Sequence, residues 1–278
     1  MAVRGRGDRA VKREIACLSS HMAQWDPQQY QRFTDERSRP FFDLVGRLPD
    51  DNVHCVADLG CGPGNLTQTL LTRWPAAVIW GVDNSPEMLA TAAKLPTDSR
   101  LQFVLSDIAT WQPEKPLDRI VSNAALQWVP DHTALLLRLV SWLAPRGVLA
   151  VQMPNNFADS NHTLLTEMVT QEPWRSALGG PAERYFIQAP AWYAQTLHEL
   201  GLQVDLWETI YYHILPGQDA VLEWMKGTAL RPILTKLTAT QKQDFLTVYG
   251  EKLRTVYPSH PHGILFPFRR LFFVVRKK

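Results

Sequence analysis

Residues Asp58-Leu59-Gly60-Cys61-Gly62-Pro63-Gly64-Asn65 carry the densest chemistry in the chain. An acid precedes glycines at G-x-G-x-G spacing, between a strand-like apolar run and a helix-like one. In that context a glycine turn points to a ligand, because glycine takes positive φ and lets a ligand approach the backbone closely. The dinucleotide fingerprint G-x-G-x-x-G has its third glycine one place later and serves a pyrophosphate. An anionic Asp58 beside the loop is awkward for phosphate and suits a cation. S-adenosyl-L-methionine has an ammonium, a sulfonium and no phosphate, so it is the expected cofactor. Asp83, at the end of the next strand, can accept hydrogen bonds from both ribose hydroxyls. Asp107 can accept from the adenine amino group while Ile108 packs on the ring. Asn123 and Ala124 end the fourth strand at the same crevice, and Asn65, Asn84 and Met88 complete the cofactor side. Cys61 reads as a small packing residue, since nothing makes it a nucleophile. The plainer alternative is a set of ordinary turn glycines, against which the acids before and after the loop weigh.

The elements that must position these residues alternate. Val53–Asp58, Ala77–Asp83, Leu101–Leu105, Leu117–Ser122 and Val148–Met153 read as strands. Leu66–Trp74, a helix opened by Ser85 as N-cap with Pro86 first, and His132–Trp142 read as the helices between them. Pro190–Leu200 predicts a helix, Gln203–Leu215 a long strand, 218–257 two helical stretches broken near Arg231-Pro232, and Arg270–Arg276 a terminal strand. Strands separated by helices imply a parallel sheet. The expected fold is α/β: a doubly wound, mostly parallel seven-stranded sheet with an N-terminal helical lid and a helical cap inserted before the last strand. The expected divisions are a flexible tail over 1–21, the lid over 22–50, the core over 51–215, the cap over 216–266 and the last core strand over 267–278.

With 278 residues, 45% of them apolar, the chain can fill one large core. A formal charge of +2 gives no electrostatic case for nucleic acid or membrane as partner. Cys17, Cys55 and Cys61 are too scattered for a disulfide framework or a zinc site and fit a reducing cytoplasm. No metal is expected. The basic start, Arg4 to Arg13, lacks the uninterrupted apolar run of a secretory signal, and Met22 is an alternative start. A monomer is compatible with all of this, and the oligomeric state is left open.

Several segments together resemble one family, the trans-aconitate 2-methyltransferases, within the class I S-adenosylmethionine-dependent fold. The resemblance rests on Trp25-Asp26-Pro27-Gln28-Gln29-Tyr30, Glu36-Arg37-Ser38-Arg39-Pro40, Val56 to Asn65, and Leu126-Gln127-Trp128-Val129-Pro130-Asp131-His132. It continues in Val148-Leu149-Ala150-Val151-Gln152-Met153-Pro154, Tyr211-Tyr212-His213 and Leu230-Arg231-Pro232. It implies monomethyl esterification of a small polycarboxylate, with S-adenosyl-L-homocysteine as the other product. Residues 1–21 and the stretch Gln171–Phe186 depart from the pattern, and the second could alter the preferred acid.

A carboxylate acceptor has a pKa near ~4 and is already ionised at neutral pH, so no general base is required. The task is in-line positioning, worth roughly 7–11 kcal/mol. Arginines should clamp the carboxylates that do not react, since one gripping the attacking oxygen would blunt it. Arg39, Arg231 and Arg269 are the candidates, and Arg37 can instead hold the cofactor's carboxylate; each could equally be solvated or in a structural ion pair. Tyr30 and Trp128 can cover the adenine or face the sulfonium, or be core aromatics. Gln127 and Tyr212 join the acid side, with only one of Tyr212 and His213 able to face the pocket from a strand. His132 either binds substrate or holds a structural partner at its helix start. Two other readings stay open: a different acceptor, such as an acyl-carrier-protein thioester's free carboxylate, and a non-catalytic binding protein. A nicotinamide oxidoreductase fails on glycine spacing.

Overall fold

Asp58 is the next-to-last residue of a strand whose side chains are buried on both faces, and that double burial organises the fold. The computed structural model describes residues 34–178 and 185–277. In chain order the elements are α1 (Thr34–Val45), β1 (Cys55–Leu59), α2 (Asn65–Arg73), β2 (Val78–Asp83), α3 (Pro86–Ala92), β3 (Leu101–Leu105) and β4 (Leu117–Asn123). There follow α4 (His132–Ser141), β5 (Leu143–Pro154), α5 (Ser160–Thr170), α6 (Trp174–Leu178), α7 (Pro190–Glu199) and β6 (Gln203–Leu215). The cap helices α8 (Ala220–Lys226), α9 (Arg231–Leu234) and α10 (Ala239–Val256) precede β7 (Ile264–Arg276).

The sheet has seven strands in the order β3-β2-β1-β4-β5-β7-β6. β1 to β5 pair in parallel, and β7 runs antiparallel between β5 and β6. On one face Val56, Ile79, Val121, Ala150, Phe272 and Val274 pack with Phe41, Leu44 and Leu70 of α1 and α2. On the other, Leu59, Ile120, Leu149, Leu271 and Phe273 pack with Leu135, Leu139, Tyr193 and Leu197 of α4 and α7. Helices on both faces make the doubly wound arrangement expected from the alternation. Among the described residues no helix is long and apolar enough to cross a membrane, and no cluster of His, Cys, Asp and Glu could hold a metal ion.

The strands depart from the sequence reading at their ends. β1 starts at Cys55 rather than Val53, β5 already at Leu143, and β7 at Ile264 rather than 267 or Arg270. Pairing explains the last case. Ile264 to Arg276 match Leu215 to Gln203 along their whole length, so β6 dictates where β7 begins. The cap also draws on more chain than 216–266. Leu165, Met168, Trp174 and Leu178 of α5 and α6 share one apolar cluster with Trp224, Met225, Phe245 and Tyr249 of α8 and α10. Buried Asn161 stitches the two segments: its carbonyl accepts from the Tyr249 hydroxyl (2.6 Å), and its amide nitrogen meets the Met225 sulfur (3.2 Å).

Helix α1, the described part of the expected lid, is seated on the sheet. Burial of Phe41 and Leu44 contributes about 1.5–3 kcal/mol each. The bond from the Tyr211 hydroxyl to Asp43 (2.5 Å) adds about 1.5–3 kcal/mol for a charged acceptor, less than the two buried side chains contribute together. Packing therefore fixes the helix, and the polar contact sets its register over β6. Residues 1–33, with Tyr30, and residues 179–184 lie outside the described residues.

Candidate active site

The glycine turn is held by β2. Gly60 and Cys61 both donate backbone N–H to the Val82 carbonyl, at 2.7 and 3.1 Å. Gly62 donates to Asp83 Oδ2 (2.8 Å), and Ser85 donates its N–H to Asp83 Oδ1 (2.9 Å). Asp83 thus braces the loop while offering its remaining lone pairs to a ligand. Gly60 and Gly62 have φ of 78° and 55°, left-handed values that favour glycine. A Cβ on Gly60 would land 2.1 Å from the Ala125 Cβ, so this glycine serves close packing of the β4 turn. A Cβ on Gly62 would meet nothing within 4 Å, so this glycine faces open crevice, where a ligand could reach the backbone. Ala124 is itself left-handed (φ 56°) and ties its N–H to the Gln152 carbonyl (2.9 Å), turning the chain sharply at the end of β4.

Two carboxylates flank the loop close enough for the charge of one to act on the other. Asp58 is buried and accepts from Thr67 Oγ1 (2.6 Å). Burial pushes its pKa up to about 7 against the lowering effect of that bond, with the Asp83 charge adding to the rise. Burial likewise raises Asp83, partly offset by its backbone N–H donors. Two carboxylates with raised pKa values beside open space form a site that a cation would stabilise. Cys61 is buried, and burial with the two nearby acids holds its thiol well above the usual range, so it is no nucleophile.

The third strand supplies a rim. Asp107 is exposed and folds back on Ala109 N–H through Oδ1 (2.7 Å), with Asn84 Nδ2 at 3.5 Å from its Oδ2. Ile108 is buried, and Arg138 of α4 braces this turn by donating to the carbonyls of Ile108 (2.7 Å) and Ala109. The sequence reading did not single out Arg138. Met88 is buried at the start of α3, where its N–H bonds the N-cap Ser85 Oγ (3.2 Å), and Asn65 opens α2 exposed beside the loop. The structure therefore gathers Asp58, Gly60, Cys61, Gly62, Asn65, Asp83, Asn84, Met88, Asp107, Ile108, Asn123 and Ala124 along the C-terminal ends of β1 to β4.

The acid side divides differently. Gln127 is buried beside the β4 turn, donating Nε2 to the Ala124 carbonyl (2.8 Å). Trp128 is partly exposed, its ring centroid 4.9 Å from that of Tyr185. Arg37 lies on α1, and Arg39 on the same helix sets its guanidinium 5.2 Å from the Tyr211 ring centroid. Arg231 opens α9, partly buried, within the cap.

Three substrate-side expectations need correction. His132 is buried with both ring nitrogens committed, Nδ1 to the Tyr193 hydroxyl and Nε2 to the Leu126 carbonyl (2.9 Å). It packs in the α4–α7 layer, and burial lowers its pKa, so it has the structural role. Tyr212 is 62% exposed, because strand alternation turns it away while Tyr211 and His213 go inward. Arg269 faces the Glu208 side of the sheet, 3.9 Å from that carboxylate. Its neighbour Arg270 is 3% exposed and points to the opposite face, donating from Nη1 to Gln152 Oε1 (3.2 Å) over the Phe268 ring. Arg270 and Gln152 are functional candidates that the sequence did not mark, and His213, the alternative to Tyr212, is the one of that pair that turns inward. A charge inside the apolar run Ile264 to Val275 was the available signal.

Residues 56–147 match the family model described as a methyltransferase domain. The trans-aconitate 2-methyltransferase of Streptomyces avermitilis is 47% identical over 91% of this chain and 97% of its own length. That of Escherichia coli O157:H7 (strain EC4115) is 46% identical over 92% of this chain and 99% of its own. Among solved structures, Haemonchus contortus phosphoethanolamine N-methyltransferase 2 superposes with a TM-score of 0.52 at 17% identity, covering 86% of this chain and 53% of the other. At that identity the likeness is one of fold.

Proposed function

This chain belongs to the trans-aconitate 2-methyltransferase family, and on that premise we propose that it esterifies one carboxylate of a small polycarboxylic acid, trans-aconitate first, with the methyl group of S-adenosylmethionine. The observation that supports this most directly is the acid-flanked glycine turn, open at Gly62, on the same sheet edge as a buried arginine. Asp58 meets the ammonium, and Asp83 takes the ribose hydroxyls. Asp107 and Ile108 hold the adenine edge and face, while Asn123 and Ala124 close the crevice. The cofactor, when bound, supplies an electrophilic methyl group on a cationic sulfur. The protein's part is to bring an ionised carboxylate oxygen in line with it and exclude water, since charge is lost on the way to the transition state. No side chain removes a proton, because the acceptor has none to lose at neutral pH.

The test is a product assay with isotopically labelled cofactor and trans-aconitate, read by mass spectrometry. One methyl ester per acid, lost on mild alkaline hydrolysis, is the expected product. Label on an acyl-carrier protein with none on trans-aconitate or related acids would overturn the acceptor assignment.

A further inference from the structure

The face of the sheet beneath α1 changes character along a line. Val121, Ala150 and Val274 form an apolar row. At the next level Asn123 pairs with Gln152, and Arg270 follows Phe272, the partner of Gln152, by one same-face step on β7. Tyr211 and His213 continue the face on β6, paired with Phe268 and Phe266. Val121 pairs with Asp58, so Asn123 lies at the level of Gly60. A polar band therefore starts at the cofactor turn and crosses to the edge strand.

Several of these polar groups are buried without a partner among the described residues: Gln152 Nε2, His213 Nε2 and Asn123 Oδ1. The Gln152 amide is oriented by Arg270, which can only donate and holds Gln152 Oε1. Its NH2 is thus an orphan donor, and orphan buried donors are costly. His213 is buried, and burial with the charges of Arg270 and Arg39 lowers its pKa to about 4, so it is a neutral ring in a positive field. Among the described residues, the charges near this band are Arg270 and Arg39 against Asp43, whose carboxylate accepts from Tyr211. The balance is cationic.

We propose that Gln152, His213 and Arg270 form a carboxylate subsite that grips an acid group of the substrate that does not react. The proposal rests on the carboxylate reading above and names the residues that carry it out. Its position suits the task. β4 and β7 are two strand spacings apart, about 10 Å, and Arg270 reaches back over β5. The gripped carboxylate then lies about one spacing from Asn123, the distance between carboxylates in a short polycarboxylate, which leaves the attacking oxygen free of any arginine. Arg269, on the other face, has no part in it.

The experiment titrates trans-aconitate, and then citrate and succinate, into protein saturated with S-adenosylhomocysteine, by calorimetry. Arg270→Gln should weaken acid binding roughly 100-fold, leave S-adenosylhomocysteine affinity within about twofold, and raise KM rather than lower kcat. Gln152→Glu, which would occupy the guanidinium internally, should weaken the acid at least tenfold, and Arg269→Gln should change nothing. If Arg270→Gln fails to fold, seen as lost S-adenosylhomocysteine binding, Gln152→Glu decides. Acid binding within threefold of wild type in the folded variants overturns the subsite. A wild-type protein that binds citrate or succinate through Arg270 yet methylates a different kind of acceptor overturns the proposed reaction and keeps the subsite.

Discussion

Lowering the pH should weaken cofactor binding, through one carboxylate. Without ligand, Asp58 has a pKa of about 7, so near neutrality it is close to half protonated. An ammonium bound beside it requires the ionised form, and binding below pH 7 must expel a proton. Apparent affinity then falls about tenfold per pH unit below 7, or about 2.7 kcal/mol at pH 5 relative to the high-pH limit. The linkage to folding has the opposite sign. A raised pKa means that the native state binds more protons than the unfolded chain between pH 3.8 and about 7. Asp58's contribution is therefore fully present below the unfolded value and lost as pH rises through 7, until a bound cation compensates. Calorimetry with S-adenosylmethionine from pH 5.5 to 7.5, in buffers of different ionisation enthalpy, should show proton release near half a proton at pH 7 and approaching one at 5.5. The cofactor-induced rise in Tm should grow over the same range. Affinity independent of pH, or an Asp58→Asn variant that retains the wild-type slope, would refute the reasoning.

Other substitutions separate the roles of the site. Asp83→Ala removes a brace of the loop and the proposed partner of two hydroxyls, so cofactor affinity should fall by about 1–3 kcal/mol in a binding titration while the folded fraction holds. Gly60→Ala places a methyl group 2.1 Å from Ala125 Cβ at a left-handed φ, and should lower Tm and abolish cofactor binding together. Gly62→Ala meets open space, so its Tm should drop less than that of Gly60→Ala, with cofactor affinity still reduced at least about tenfold by backbone strain and lost approach. His132→Ala should cost about 1–3 kcal/mol of stability in denaturant titrations and leave the KM for the acid unchanged.

The glycine turn was legible in the sequence because its geometry is local. Asp58, the glycines and Asp83 sit within adjacent strand ends, and turn geometry follows from residue type. The α/β order was legible for the same reason, from periods of apolar residues. The acid side was not. Alternation along β6 says that Tyr212 and His213 face opposite ways but not which one turns inward, and β7, buried on both faces from Arg270 to Val275, gives no alternation there to decide between Arg269 and Arg270. The pairing of β7 with β6 and the seat of α1 decide it, and both are contacts between distant parts of the chain. His132 lies in a motif of the resemblance, but its ring is committed to the Leu126 carbonyl and to the hydroxyl of Tyr193, 61 residues away, a partnership no spacing reveals. The expected cap bounds of 216–266 leave out α5 and α6, which join it through the contacts of Asn161 with Tyr249 and of Trp174 with Phe245, distant in sequence.

The last strand enters the sheet's interior, between β5 and β6, and this orders events on the ribosome. By the time Pro154 has emerged, β1 to β5 and the whole nucleoside-facing edge exist as sequence. β6, hydrogen-bonded only to β7, must wait for the final residues before it gains a neighbour, and Arg270 arrives with them. On the proposed reaction, a nascent chain would hold the strand ends assigned to the methyl donor before β7 brings in Arg270, so the acceptor's half would be the last to assemble.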